Sequence, residues 1–433
     1  MEDIMKKIAI ILFLLIPMTL ALFAQETSEG TSSGSPAGTS GDDRNLFVTE
    51  STYYRVYSEI STEHARETAR KLDGYLKLFN THFRFNLETL DTKLNVRIFE
   101  NKERFNDYLQ NFIDQEKDNF VYLQFQAVAD SELVGFSQKA EQFETSLIRH
   151  SFIQFFKSFI KNPPPWMLKG FAIYFEDSYY DKEHQYAVYK ENLSWLNTLK
   201  NTIRKSSSAD TGSDQGLIPL PQFLNPSEKI MQERPRIYHA QSWGFISFLQ
   251  ETDNKNYNRL LWDAISALQP EASMAENISA IGERTFNWVN GFLLFNDFKN
   301  YILSLKTFPE LVRSGIDLYS AGNLDQAEES FLEAILINGS HHLPYYYLGL
   351  IHYTKDDYSL AEYYYQSSLM LGAEKSLIHY ALGVNAFADH RLEDATNYLE
   401  EAKRISPDEY GEKVDTLLTR IDGLKEKEAS QGM

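Results

Sequence analysis

The sequence predicts an α+β domain followed by an all-α solenoid of helical hairpins. Two observations carry this. In the last third of the chain, four kinds of residue recur every 34 positions. Before it, stretches of alternating hydrophobicity, such as "KLNVRIFE" with Leu94, Val96 and Ile98 on one face, stand among segments of helical spacing. The 433 residues suffice for two or three domains, each with its own core, and 29 Phe and 26 Tyr offer large areas to bury.

At the N-terminus, Lys6 and Lys7 precede the uncharged run "IAIILFLLIPMTLALFA", and Ala24 offers a small residue for cleavage before Gln25. This predicts a signal peptide over residues 1–24, hence an exported protein of the periplasm or cell envelope. Glu2 and Asp3 are unusual in such a region and point to Met5 as an alternative start, while Leu22 is larger than the usual residue three before the cut. The alternative is a retained anchor, although the run is short for a span and Pro17 interrupts it. Residues 25–45, largely "QETSEGTSSGSPAGTSGDD", have little apolar to bury and predict a flexible linker. "GTSSG" within them matches the nucleophile-elbow pattern without the strand and helix that such an elbow needs.

The chain has no cysteine, which excludes disulfides, thiolate metal ligands and a lipid-modified cysteine. Its formal charge of −19 disfavours nucleic acid and anionic membrane as partners.

Residues 46–300 alternate strand and helix signals. "HARETARKLDGYLKLFNTHF" has helical spacing, "KLNVRIFE" is a strand, and "NKERFNDYLQNF" starts a helix at an Asn101 cap. "NFVYLQFQAV" and "SELVGFSQ" predict further strands. A helix follows over Phe143 to Ile160, then a turn at Pro163 to Pro165, then a second helix from Trp166. This is the order of an α+β domain.

In "PPPWMLKGFAIYFE", the residues Pro164, Pro165, Trp166, Gly170, Ala172, Tyr174 and Glu176 fit the pattern P-P-W-L-x-E-G-x-A-x-Y-x-E. This resembles the gluzincin zinc peptidases, above all the peptidase MA-like group, in which a helix bearing H-E-x-x-H precedes that motif. "HSFIQ" stands in the place of H-E-x-x-H, and "GLIPLPQFL" and "YHAQSWGFISFL" resemble segments that follow in the group. The resemblance implies a peptidase-like fold.

The chemistry needs two histidines on one helix face, a glutamate to polarise the metal-bound water, and a glutamate from the second helix. Only His150 remains. Ser151 replaces the general base, Gln154 the second histidine and Lys169 the third ligand. A serine is no base at neutral pH, an amide is a poor zinc ligand, and a lysine sets a positive charge against the metal. The expectation is a catalytically inactive domain with no catalytic residue, no metal and no cofactor.

Two arrangements suit the substitutions. The Lys169 ammonium would take the vacated metal position and pair with Glu144 or Glu176, with Gln154 bonded to His150, or Lys169 would lie on a solvated face. His64, His82, His184 and His239 fall in no ligand spacing. "SFIK", at Ser158 to Lys161, fits S-x-x-K without its companion motifs. No glycine-rich phosphate loop occurs, and "SSSADTGSDQG" predicts a polar loop.

Residues 301–426 carry the period. Gly315, Gly349 and Gly383 form one column, Ala327, Ala361 and Ala395 a second, Phe331, Tyr365 and Leu399 a third, and Ala334, Ser368 and Ala402 a fourth. Over residues 308–407 this is similar to the tetratricopeptide repeat. The small residues would let paired helices approach, and the large one would fill the space between units. Pro407 ends the third unit, and a closing helix follows, apolar at Val414, Leu417, Leu418 and Ile421.

The resemblance assigns a concave binding groove to Val312, Ile316, Tyr319, Tyr346, Leu350, Tyr353, Tyr380, Val384 and Phe387. None is the Lys or Asn with which some relatives clamp a terminal carboxylate. Such a groove suits a protein or peptide partner with an apolar or aromatic segment. Alternatively, the chain's own N-terminal domain or closing helix fills it.

The expected function is an exported interaction or scaffold protein. The alternatives are a residual metallopeptidase or other hydrolase around His150, and a middle domain that binds peptides without cutting them.

Overall fold

Alternating burial along two of the central strand sequences helps build a five-stranded mixed sheet near the start of the protein, in a computed structural model that describes residues 46–207 and 216–431. The expected signal and linker, and most of the polar loop, lie outside the described residues. The chain divides into two units, one up to Ser304 and one from Leu305. The expected boundary at 300 falls inside a helix of the first unit, Gly291–Ser304.

In the first unit the strands are β1 (Phe47–Glu50), β2 (Tyr54–Ser58), β3 (Leu94–Phe99), β4 (Val121–Leu123) and β5 (Glu132–Phe136), in spatial order β1-β2-β3-β5-β4. The central three run parallel, and β1 and β4 flank them antiparallel. Leu94, Val96 and Ile98 are buried, while Asn95 and Arg97 between them are half-buried.

Helix α1 (Thr62–Phe83) starts where the Ser61 hydroxyl accepts from His64 N, and α2 (Lys102–Leu109) starts at Asn101, whose side chain accepts from Arg104 N, the cap that the sequence predicts. The strand expected over "NFVYLQFQAV" is only three residues long. Beyond Leu123 the chain turns: Phe125 N donates to Ser131 Oγ, which donates to Ala127 O, and Val128–Asp130 winds into a 3₁₀ turn.

Helices α3 (Ala140–Phe159) and α4 (Pro165–Tyr174) follow. Pro165 sits at the first position of α4, where no N–H is needed. Phe79 and Phe83 of α1, Phe152, Phe155 and Phe156 of α3, and Phe171 of α4 meet with ring centroids 4.7 to 6.3 Å apart. This aromatic cluster fixes the two motif helices against each other.

A hairpin, β6 (Tyr179–Asp181) and β7 (Tyr186–Val188), leads to seven helices: α5 (Leu196–Ser207), α6 (Leu220–Leu224), α7 (Glu228–Glu233), α8 (Pro235–Glu251), α9 (Lys255–Ser266), α10 (Met274–Arg284) and α11 (Gly291–Ser304). Gly170 is where α4 meets α8, since a Cβ there would lie 2.5 Å from Ser242 O.

The second unit is three hairpins and a closing helix: α12 (Phe308–Ser320) with α13 (Leu324–Ile337), α14 (His342–Thr354) with α15 (Tyr358–Met370), α16 (Lys375–Ala388) with α17 (Leu392–Ile405), then α18 (Pro407–Gln431). A Cβ on Gly315, Gly349 or Gly383 would come within 2.7, 2.5 or 2.7 Å of Phe331, Tyr365 or Leu399. The large residue therefore lies against the glycine of its own unit, a contact that the sequence reading did not include. Phe331 also stacks on Tyr347 of the next unit, centroids 5.1 Å apart.

Two further columns share the period. Gly322, Asp356 and His390 make the turn within each hairpin at φ of 79°, 60° and 59°. Glu328 and Glu362 receive Lys355 and Arg391 from the following unit. The closing helix continues the register: Val414, Leu418 and Ile421 stand 34 residues after Tyr380, Val384 and Phe387. Leu417 occupies the glycine column.

Candidate functional site

The residues of "HSFIQ" lie on α3, where it crosses the sheet. His150 is 6 % exposed, with Nδ1 2.8 Å from the Ser146 carbonyl and its ring 6.1 Å from that of Phe120. The carbonyl can only accept, so Nδ1 carries the proton. Ser151 is fully buried and its hydroxyl donates to Ile148 O at 3.0 Å. Gln154 Nε2 donates to the Asn95 carbonyl of β3 at 2.8 Å, while its Oε1 is buried without a hydrogen-bond partner. The structure thus ties the amide to the sheet, where the sequence suggested a bond to His150.

Lys169 is half-buried on α4. The two carboxylates considered for it each meet further groups. Glu144 pairs with Lys71 and accepts from Tyr75 Oη at 3.3 Å. Glu176 is buried, 3.5 Å from Arg149 Nη1 and 3.2 Å from Asn192 Nδ2. Arg149 is the residue that sequence reasoning missed. It stands beside His150 but 27 residues from Glu176, a separation that signals nothing.

Among the described residues no group of three or more His, Cys, Asp and Glu is placed to hold a metal ion. His64 Nδ1 lies 3.1 Å from Ser58 Oγ, and burial, with Lys71 nearby, pushes its pKa down. His82 packs on Tyr174 and Phe175, and burial depresses it too. His184 pairs with Asp181 at 2.8 Å, and His239 meets Trp195 edge-on. The matched positions of the second motif are structural: Trp166 is buried against Phe223, Phe245 and Phe286, and Tyr174 donates to Glu251.

The nine groove residues lie on α12, α14 and α16. Val312 and Tyr346 are buried, at 2 % and 9 % exposure, and the other seven are half-buried. Tyr319 meets Tyr347 edge-on at 5.7 Å, and burial raises its phenol pKa. Ile316, Leu350 and Tyr353 pack against a buried cluster that runs from the first repeat into the third, through Ile378 and Leu382. At the third repeat the closing helix intervenes: Tyr410 lies 5.0 Å from Tyr380, and the Arg420 guanidinium 5.3 Å from the Phe387 ring. Own-chain packing thus reaches the groove at its C-terminal end.

No family model matches the chain, and no curated protein does. Among solved structures, the first TPR of Spaghetti (RPAP3), bound to HSP90 peptide SRMEEVD, is similar at 15 % identity over 27 % of this chain and 92 % of that one, with a TM-score of 0.26. The first TPR domain of human RPAP3 is similar at 18 % identity over 29 % and 97 %, TM-score 0.27. The Cut9-Hcn1 hetero-tetramer of APC/C is similar at 18 % identity over 63 % and 47 %, TM-score 0.23. Scores this low carry no conclusion.

The helix pairs, their 34-residue register and the glycine contacts stand by themselves. They make the second unit a repeat array of paired helices, each pair packed on its neighbour. The first unit is an α+β body with a small mixed sheet.

Proposed function

We propose that this is an exported, non-catalytic interaction protein whose groove receives an apolar or aromatic segment of a protein or peptide partner. The observation that carries the reading is the groove's composition. Its three columns run through three repeats with no charged residue, and Val414, Leu418 and Ile421 extend them into the closing helix. Tyrosines with apolar neighbours supply rigid contact area and a hydroxyl tip.

In this reading the first unit is a peptidase-like scaffold kept for its shape. The residual-hydrolase alternative finds little support, because His150 Nδ1, Ser151 Oγ and Gln154 Nε2 are all engaged with main-chain carbonyls.

The test is selection of a displayed random-peptide library on the full chain and on Tyr353→Asp. The reading expects enriched peptides that carry spaced aromatic or aliphatic residues, bound at least ten-fold more weakly by the variant. Enriched peptides that bind both proteins equally would place recognition elsewhere.

A further inference from the structure

The first unit holds a cavity that belongs to neither the motif helix face nor the repeat groove. It measures about 320 Å³ and opens to solvent between α6, α10 and the 3₁₀ turn Phe286–Trp288. Trp166 and Ile281, 1 % and 3 % exposed, are its buried lining, joined by Leu224, Ile278 and Phe286. The rim is polar, with Asn225, Ser279, Glu283 and Asn287. The volume falls at the lower end of ligand pockets, which bind through apolar walls and a few placed polar groups.

We propose that this cavity is a second peptide site, which takes one bulky apolar side chain of a bound segment and holds the flanking peptide groups with the amides of Asn225 and Asn287. Three features select that ligand class. First, each rim amide offers a donor and an acceptor, which matches a peptide group, and neither side chain hydrogen-bonds another described residue. Second, the lining contains no Lys or Arg and does contain Glu283, so a fatty-acid carboxylate or a phosphate would meet repulsion without a counter-charge.

Third, an apolar shelf continues from the mouth. Trp288 is 82 % exposed, yet its indole N–H is tied to Glu283 O, so the ring stands fixed beside the rim. Phe292 and Leu293, also exposed, start α11 next to Gly291, whose Cβ position lies 3.5 Å from Leu220, the neighbour of the lining residue Pro221. Rigid aromatic area beside a pocket with a polar rim is the composition of a protein-recognition surface.

Gly282 allows a clean block. It lines the pocket from α10, and a Cβ there would approach nothing closer than Asn287, at 3.6 Å. Gly282→Leu therefore fills the cavity from a helical position where leucine is favoured over glycine, and the variant should fold at least as well as the parent.

The experiment uses the full chain labelled with 5-fluorotryptophan, whose five tryptophans give separate fluorine NMR signals assigned by single Trp→Phe replacements. Titration with N-acetyl-phenylalaninamide should move the Trp166 and Trp288 signals saturably, at about millimolar concentration for so small a ligand. Trp243 and Trp262 should stay in place. Gly282→Leu should weaken the response at least ten-fold, and decanoate should produce none. Failure of Trp166 to move, a common drift of all five signals, an unchanged response in Gly282→Leu, or a stronger response to decanoate would each overturn the proposal. The repeat groove plays no part in these readouts, so the outcome is separable from that of the library selection.

Discussion

Replacing Gly349 with alanine tests the physical basis of the repeat columns. The new Cβ would lie 2.5 Å from both Cδ1 and Cε1 of Tyr365 and 3.0 Å from Cγ, where ordinary contact begins at 3.4 Å. The ring is 2 % exposed and hemmed by Tyr346, centroids 6.1 Å apart, so it has little room to swing away. Overpacking of this kind costs about 1–3 kcal/mol. Two ring atoms at 2.5 Å put the cost in the upper half of that range, and alanine returns about 1 kcal/mol through its better helix propensity, which leaves a net loss of about 1–2 kcal/mol.

The same replacement in a Tyr365→Ala background should change sign and stabilise by about 1 kcal/mol, because the ring is gone and only propensity remains. Gly411→Ala is the control, since nothing stands within 4 Å of its Cβ position on α18. Urea unfolding of the full chain, followed by far-ultraviolet circular dichroism, reads all four variants. The transition of the second unit is the one that Gly411→Ala moves upward. If Gly349→Ala proves neutral or stabilising in the parent while Gly411→Ala stabilises, the glycine column is not a close-approach device and the reasoning fails.

Arg149→Met should destabilise the first unit by about 3–5 kcal/mol by leaving Glu176 buried beside a lost charge, and adding Glu176→Gln should recover part of that; chemical denaturation measures both. Trp166→Ala should cost about 3–5 kcal/mol through the cavity opened among Phe223, Phe245 and Phe286, seen in the same assay. His82 is neutral in both states above its ordinary pKa of 6.5, but below it the unfolded chain takes up a proton that the buried ring resists. Stability of the first unit should therefore fall as pH drops through and below 6.5 until the depressed folded pKa is passed, with a shallower slope in His82→Gln and the remainder carried partly by His64. Arg391→Gln breaks contacts to Glu362, Asp389 and Asp394 and should cost about 1 kcal/mol in unfolding experiments, less at high salt.

The array was legible because its energetics repeat. One contact, glycine on a large side chain, recurs at one spacing, and three occurrences make a column that the eye can find. The turn column leaves no such signal, because Gly322, Asp356 and His390 share a backbone angle and no side-chain property. In the first unit, the Asn101 cap and the alternation of β3 are local, so they showed in the sequence; Arg149 with Glu176, and Lys71 with Glu144, join positions that only the tertiary fold brings together. The early end of β4 depends on Ser131, eight residues beyond Leu123, which captures the Phe125 N–H. The cavity above Trp166 was illegible for the same reason: its walls come from α4, α6 and α10.

The most direct measurement is the zinc content of the purified protein spanning Gln25 to Met433 after incubation with zinc, beside a His150→Ala control. A non-catalytic interaction protein predicts no stoichiometric zinc in either sample. About one zinc per chain, lost in the control, would contradict the account and make the first unit a metalloenzyme candidate.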